Sequence, residues 1–117
     1  MYLQFVLWDL KRSSVTVDDL RGYLRDYAVD AYSKLAGMRL KMWFGDERRQ
    51  VWGAVYLWDG AAHMDGPARV TRAIELIGYP PTSVSVFPLE AIAEGVSAHP
   101  DLTALGRAFA PIPSAGT

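Results

Sequence analysis

Lys41 and Trp43 stand two apart in the run MRLKMWFGD, and Tyr56 and Trp58 stand two apart in VWGAVYLW. Successive side chains of a strand point to opposite faces, so each pair shares a face. That face would combine an amine able to hold an anion with flat rings able to stack on an aromatic guest. A lysine buried among rings needs an anionic partner, since an unpaired buried charge is costly, and a phenolate or enolate would serve. The alternative is a strand-end lysine whose ammonium reaches water along its own stem. For the rings, the alternative is packing at a subunit interface. His63 follows soon after. Its imidazole suits removal of a phenolic proton, unless it is a solvated residue at a helix start.

Other chemistries find little footing. The chain has 117 residues with no cysteine, so thiolate metal sites, disulfides and cysteine nucleophiles are excluded. His63 and His99 lie in separate segments without helical i, i+4 spacing, which argues against a histidine metal site. No glycine-rich dinucleotide or phosphate loop is present. Ser13 and Ser14 lack a histidine–aspartate pattern, and Asp18 and Asp19 read as helix-start charges. An enzyme built from this chain is expected to use neither metal nor organic cofactor. The net charge of −1, from 12 basic and 13 acidic residues, gives no field for a nucleic acid.

The elements that must position these residues are legible. Tyr2 to Asp9 has strand length, with Leu3, Phe5 and Leu7 on one face and Gln4, Val6 and Trp8 on the other. Thr16 is an N-cap candidate with Asp19 in the capping-box position. Val17, Leu20, Leu24, Tyr27, Ala28, Ala31 and Leu35 then recur at helical spacing, and Gly37 ends the run. Two strands follow, joined by a turn at Asp46 to Arg49. They place Arg39, Lys41 and Trp43 on one face, with Trp52, Ala54, Tyr56 and Trp58 sharing a parity in the second strand. A second helix is expected over about 61–77, split at Gly66-Pro67, with Val70, Ala73, Ile74 and Ile77 buried. Thr82 to Leu89 is a fourth strand, and Pro88 marks an edge. A short helix over 100–109, with Asp101 near its start, precedes a loose tail. Residues 1–95 form the domain and 96–117 an extension.

The order strand, helix, strand, strand, helix, strand predicts an α+β, ferredoxin-like βαββαβ fold with a four-stranded antiparallel sheet. Helices cover only one face of such a sheet, yet both parities carry large apolar groups. The uncovered face needs a partner, most simply a second copy, so a homodimer is expected. No apolar run is long enough to cross a bilayer and no signal-peptide pattern opens the chain, which suggests a cytoplasmic protein without membrane or nucleic-acid partners.

GMRLKMW is similar to the Gly-aromatic-x-x-Lys-x-Trp strand of the dimeric α+β barrel proteins, specifically the small monooxygenases of the YdhR type. GAVYLW is similar to their Gly-Gly-x-Tyr-Leu-aromatic strand. The spacing from Asp59 to Gly78 and the VFPLE ending also look alike, so the resemblance spans Gly37 to about Glu94. It implies a barrel of two sheets and an activity known among antibiotic-biosynthesis relatives, oxidation of a phenolic ring to a quinone by O2 without flavin, haem or metal. Fold alone does not choose the reaction, since related barrels include cyclases and isomerases. With the ring-lined face, the resemblance suggests Lys41, Trp43, Tyr56 and His63 as catalytic residues, and Gln4, Trp8, Tyr27, Trp58 and Phe87 as substrate contacts. The substrate would be a planar phenolic or polyketide-like aromatic. A non-redox isomerase or cyclase, or a non-catalytic ligand-binding dimer, remains the alternative.

Overall fold

The structure, a computed structural model, describes residues 1–97 and 102–109. Four strands, β1 (Tyr2–Asp9), β2 (Met38–Asp46), β3 (Val51–Trp58) and β4 (Ser83–Pro88), form one sheet in the order β2-β3-β1-β4. Every neighbouring pair is antiparallel. Helix α1 (Val17–Tyr23) runs through a π-helical turn (Leu24–Ala28) into α2 (Val29–Ser33), and α3 (Ala73–Ile77) precedes β4. Order and pairing are those of the ferredoxin-like fold, as the pattern predicts. β4 is an edge strand, where Pro88 removes no ladder donor that matters.

The first helix starts where its sequence says it should. Thr16 Oγ1 accepts from the Asp19 amide at 3.1 Å and Asp19 Oδ2 accepts from the Thr16 amide at 2.9 Å, a complete capping box. Val17, Leu20, Leu24, Ala28 and Tyr32 form its buried stripe and pack on Trp8, Trp52, Tyr56 and Trp58 of the sheet. The ring-bearing face of the sheet is therefore the helix-covered one. Leu20 and Trp58 are both 0% exposed, each contributing on the order of 2–3 kcal/mol through burial.

The other face carries Leu3, Phe5, Leu40, Met42, Phe44 and Phe87, and is open. Met42 is 56% and Phe87 55% exposed. Gly53 lies in this face, where a Cβ would come within 2.4 Å of Phe44 Cζ and 2.5 Å of the Val6 carbonyl oxygen. A bare backbone there lets Phe44 lie flat across the sheet.

Three expectations need correction. The stretch 61–77 is interrupted at Gly66-Pro67 as expected, but no regular helix begins there: 3-10 turns at Ala61–His63 and Gly66–Arg69 precede a five-residue α3. Pro67 lacks the N–H a longer helix would use, and Val70 and Thr71 both donate to its carbonyl instead. With α3 so short, Ala73 and Ile77 are buried while Ile74 is 43% exposed. Residues 102–109 form turns rather than a helix, with Ala104 at φ 67° and Gly106 at φ 116°. His99, Pro100, Asp101 and the tail 110–117 lie outside the described residues.

The third correction concerns Arg39. The ladder pairs Met38 with Trp58 and Leu40 with Leu57, so Arg39 is an extra residue in a β-bulge. Arg39 therefore leaves the face of Lys41 and bonds Asp59 through its Nε at 2.6 Å, while Met38 turns toward the core.

Candidate functional site

Register brings the amine to the rings. Lys41 lies directly opposite Tyr56 on β3, and its Nζ donates to the Tyr56 hydroxyl at 2.6 Å. The same nitrogen sits 3.4 Å from the centre of the Tyr32 ring, 4.3 Å from that of Tyr56 and 4.5 Å from that of Trp43. Three π-faces thus enclose one ammonium group, an arrangement that stabilises a cation by electrostatic attraction to the ring quadrupoles. Among the described residues no carboxylate pairs with it. Loss of solvent dominates: burial holds the Lys41 pKa well below the ordinary value of 10.5.

The cage is held from behind. Tyr56 stacks on Trp58 at 5.2 Å between centroids and 12° between planes. Trp58 Nε1 in turn donates to Gln4 Oε1 at 2.9 Å. Tyr32 meets Trp43 edge-on at 5.5 Å, and its hydroxyl hydrogen-bonds with Thr71 and Tyr56. Burial pushes both phenols above their ordinary pKa, with the neighbouring Tyr32 adding to the shift at Tyr56. Both hydroxyls therefore stay protonated and able to donate.

A cleft of about 720 Å³ runs along the edge strand β2, beneath α1 and α2 and against residues 102–109. Its size lies within the roughly 300–1,000 Å³ typical of small-molecule sites. Lys41, Trp43 and Tyr32 form part of its wall, with Tyr56 and Trp58 behind them. Arg21, Arg39 and Arg107 also line it, Arg21 being paired with Glu47 at 2.5 Å. Arg25 Nη1 donates to the Ala108 carbonyl at 3.1 Å, which fastens the 102–109 segment over the helix.

Of the residues singled out from sequence, the structure brings Lys41, Trp43 and Tyr56 together, with Trp58 and Gln4 supporting them. The others are engaged elsewhere. Trp8 Nε1 donates to the Tyr79 carbonyl at 3.0 Å in the core. The Tyr27 hydroxyl donates to the Val70 carbonyl at 2.7 Å, and the Arg72 guanidinium lies over its ring. Phe87 pairs with Leu3 and meets Phe5 edge-on, which puts it on the open face of the sheet, away from Lys41. His63 is exposed, and its ring covers Gly37, where an added Cβ would come within 2.1 Å of His63 Cγ.

Two wall residues, Tyr32 and Arg21, are absent from the sequence-based set. Tyr32 completes a run of four-residue steps, Leu20, Leu24, Ala28 and Tyr32. In a plain α-helix such steps drift around the axis. The π-turn at Leu24–Ala28 takes up an extra residue and keeps the later positions in line.

No family model matches the chain, and no curated protein matches it. Among solved structures it is similar in fold to a provisionally assigned antibiotic biosynthesis monooxygenase from Deinococcus radiodurans. The two are 16% identical, with a TM-score of 0.46 over 85% of this chain and 99% of that one. This is a likeness of backbone architecture. Among the described residues no helix is long and apolar enough to cross a membrane, and no three His, Asp or Glu side chains converge as a metal site.

Proposed function

We propose that the chain is a monooxygenase that oxidises a planar phenolic or polyketide-like aromatic with O2, the substrate entering the β2 cleft and stacking near Trp43. The observation that carries this reading is the carboxylate-free amine of Lys41 on the cleft wall, caged by Tyr32, Trp43 and Tyr56. Burial lowers the pKa of that amine and so makes its neutral, proton-accepting form easier to reach. It takes the phenolic proton, and the resulting ammonium holds the phenolate or enolate beside it. Lys41 thereby fills the role that the sequence offered to His63.

The electron-rich anion then reduces O2. For an anthrone, carbon–oxygen bond formation gives a peroxide at the ring carbon, and loss of water leaves the quinone: anthrone plus O2 yields anthraquinone plus one H2O. The protonated Tyr56 hydroxyl can donate to the nascent peroxide. This reading needs no metal or organic cofactor. The open sheet face with Phe5, Met42 and Phe44 supports a homodimer closed sheet to sheet.

The test is oxygen uptake with anthrone or a hydroquinone under air. Turnover lost in Lys41→Met but kept in His63→Ala is the expected result. Absence of uptake across a broad panel of phenols overturns the reading. Product formed under strict anaerobiosis would instead mark a non-redox isomerase or cyclase.

A further inference from the structure

We propose that Lys41 is also a carbonyl-capturing nucleophile, forming a reversible imine with planar aromatic aldehydes or ketones that enter the β2 cleft. The proposal uses the same cleft as the oxidation but needs neither O2 nor a phenol. It stands on three features found together. Lys41 lines a cavity large enough for an aromatic ring system. No carboxylate among the described residues holds it as an ion pair, so nothing but the rings and one hydroxyl must be displaced. That hydroxyl, of Tyr56, sits 2.6 Å away, within reach of the oxygen that must depart.

The chemistry balances without an oxidant. The lone pair of the neutral amine attacks the carbonyl carbon, forming C–N, and the carbonyl oxygen takes a proton to give a carbinolamine. Tyr56 donates to the hydroxyl as C–O breaks, one water leaves, and the remaining N–H proton returns to the Tyr56 oxygen. The product is an imine plus water. Burial of the amine favours its neutral form, the one that attacks a carbonyl. Trp43, on the same wall, offers a face for the ring of the captured compound.

The chain supplies its own controls, since its remaining lysines, Lys11 and Lys34, are exposed. The full-length protein is incubated with 2-hydroxy-1-naphthaldehyde and sodium cyanoborohydride, which reduces the imine to a stable amine. Sites are then mapped by peptide mass spectrometry. Labelling of Lys41 at least about tenfold faster than of Lys11 and Lys34 is expected, with a comparable slowing at Lys41 in Tyr56→Phe. Glyoxylate, small and hydrophilic, should show no preference for Lys41. Labelling of Lys41 no faster than the two exposed lysines in the folded wild-type protein overturns the proposal. Oxygen uptake with anthrone is a separate readout, so either activity can fail while the other stands.

Discussion

The Nζ of Lys41 lies 2.6 Å from the hydroxyl oxygen of Tyr56, and both groups are pushed by burial toward their uncharged forms. The pair is thus an amine and a phenol that loss of solvent drives toward neutrality inside an aromatic cage.

The first prediction follows from linkage. The folded pKa of Lys41 is depressed, so between that value and the ordinary 10.5 the unfolded chain binds more protons than the folded one. Stability should therefore rise with pH across that window. Tyr32 and Tyr56 have raised folded values, so stability should fall above their ordinary 10.0, where only the unfolded chain ionises. In Lys41→Met the rising limb attributable to Lys41 should vanish while the alkaline fall remains. Chemical denaturation across the pH range checks this. A rising limb unchanged by the substitution contradicts the assignment.

Catalysis should separate from stability at the same residue. Replacing a buried amine that pairs with no carboxylate by an apolar chain of similar length should leave stability within about 1 kcal/mol or raise it. The same substitution should cost on the order of a hundredfold or more in oxygen uptake if Lys41 is the proton acceptor. Wild-type turnover should also climb with pH through the depressed Lys41 pKa. Melting curves beside oxygen-electrode traces decide the matter, and a variant that melts normally and turns over normally would clear Lys41 of any role.

The bond from Trp58 to Gln4 predicts a cost at a distance from the amine. Gln4→Leu leaves the indole N–H of a fully buried Trp58 without its partner, which should cost about 1–3 kcal/mol. Trp58→Phe in the same background should recover part of the loss, because the orphaned donor is then gone. Urea midpoints for the four members of this cycle supply the measurement.

Gly37 and His63 offer a second cycle. Gly37 has φ 77°, and a Cβ there would collide with the imidazole of His63. Gly37→Ala should lose about 1–2 kcal/mol, combining the backbone term with the displaced ring. Adding His63→Ala should relieve the collision but leave the backbone term. Equal losses in both backgrounds would show that the ring gives way freely.

The face opposite the cage predicts assembly behaviour. Met42→Glu or Phe44→Glu places charge on the β2 side of the open apolar patch without entering the helix-covered core. If two copies close sheet to sheet, either variant should shift the light-scattering mass from dimer toward monomer. A wild-type protein that is monomeric at high concentration would count against the homodimer.

How far the sequence reached can be judged residue by residue. The period-2 pattern of Lys41, Trp43, Tyr56 and Trp58 was enough to put them on one face, because antiparallel partners keep parity. The same rule failed at Arg39, since a bulge adds a residue without altering composition. Tyr32 escaped notice because its place in the buried stripe depends on a π-turn that no single residue type signals. Phe87 is expected from the sequence as a substrate contact, whereas its pairing with Leu3 sends it to the other face. The 61–77 segment kept its stop at Gly78 but lost its helix to Pro67, an interruption whose reach propensity alone does not set.

β2 is one of the two edge strands, and alternate side chains commit it to two neighbourhoods at once: Lys41 and Trp43 inward, Met42 and Phe44 outward. A second subunit gripping the outward pair would brace the peptide units that carry the amine, much as a hand on the back of a blade steadies its edge. Quaternary contact and reactive geometry would then be set by one nine-residue ribbon, so diluting the protein should loosen both together.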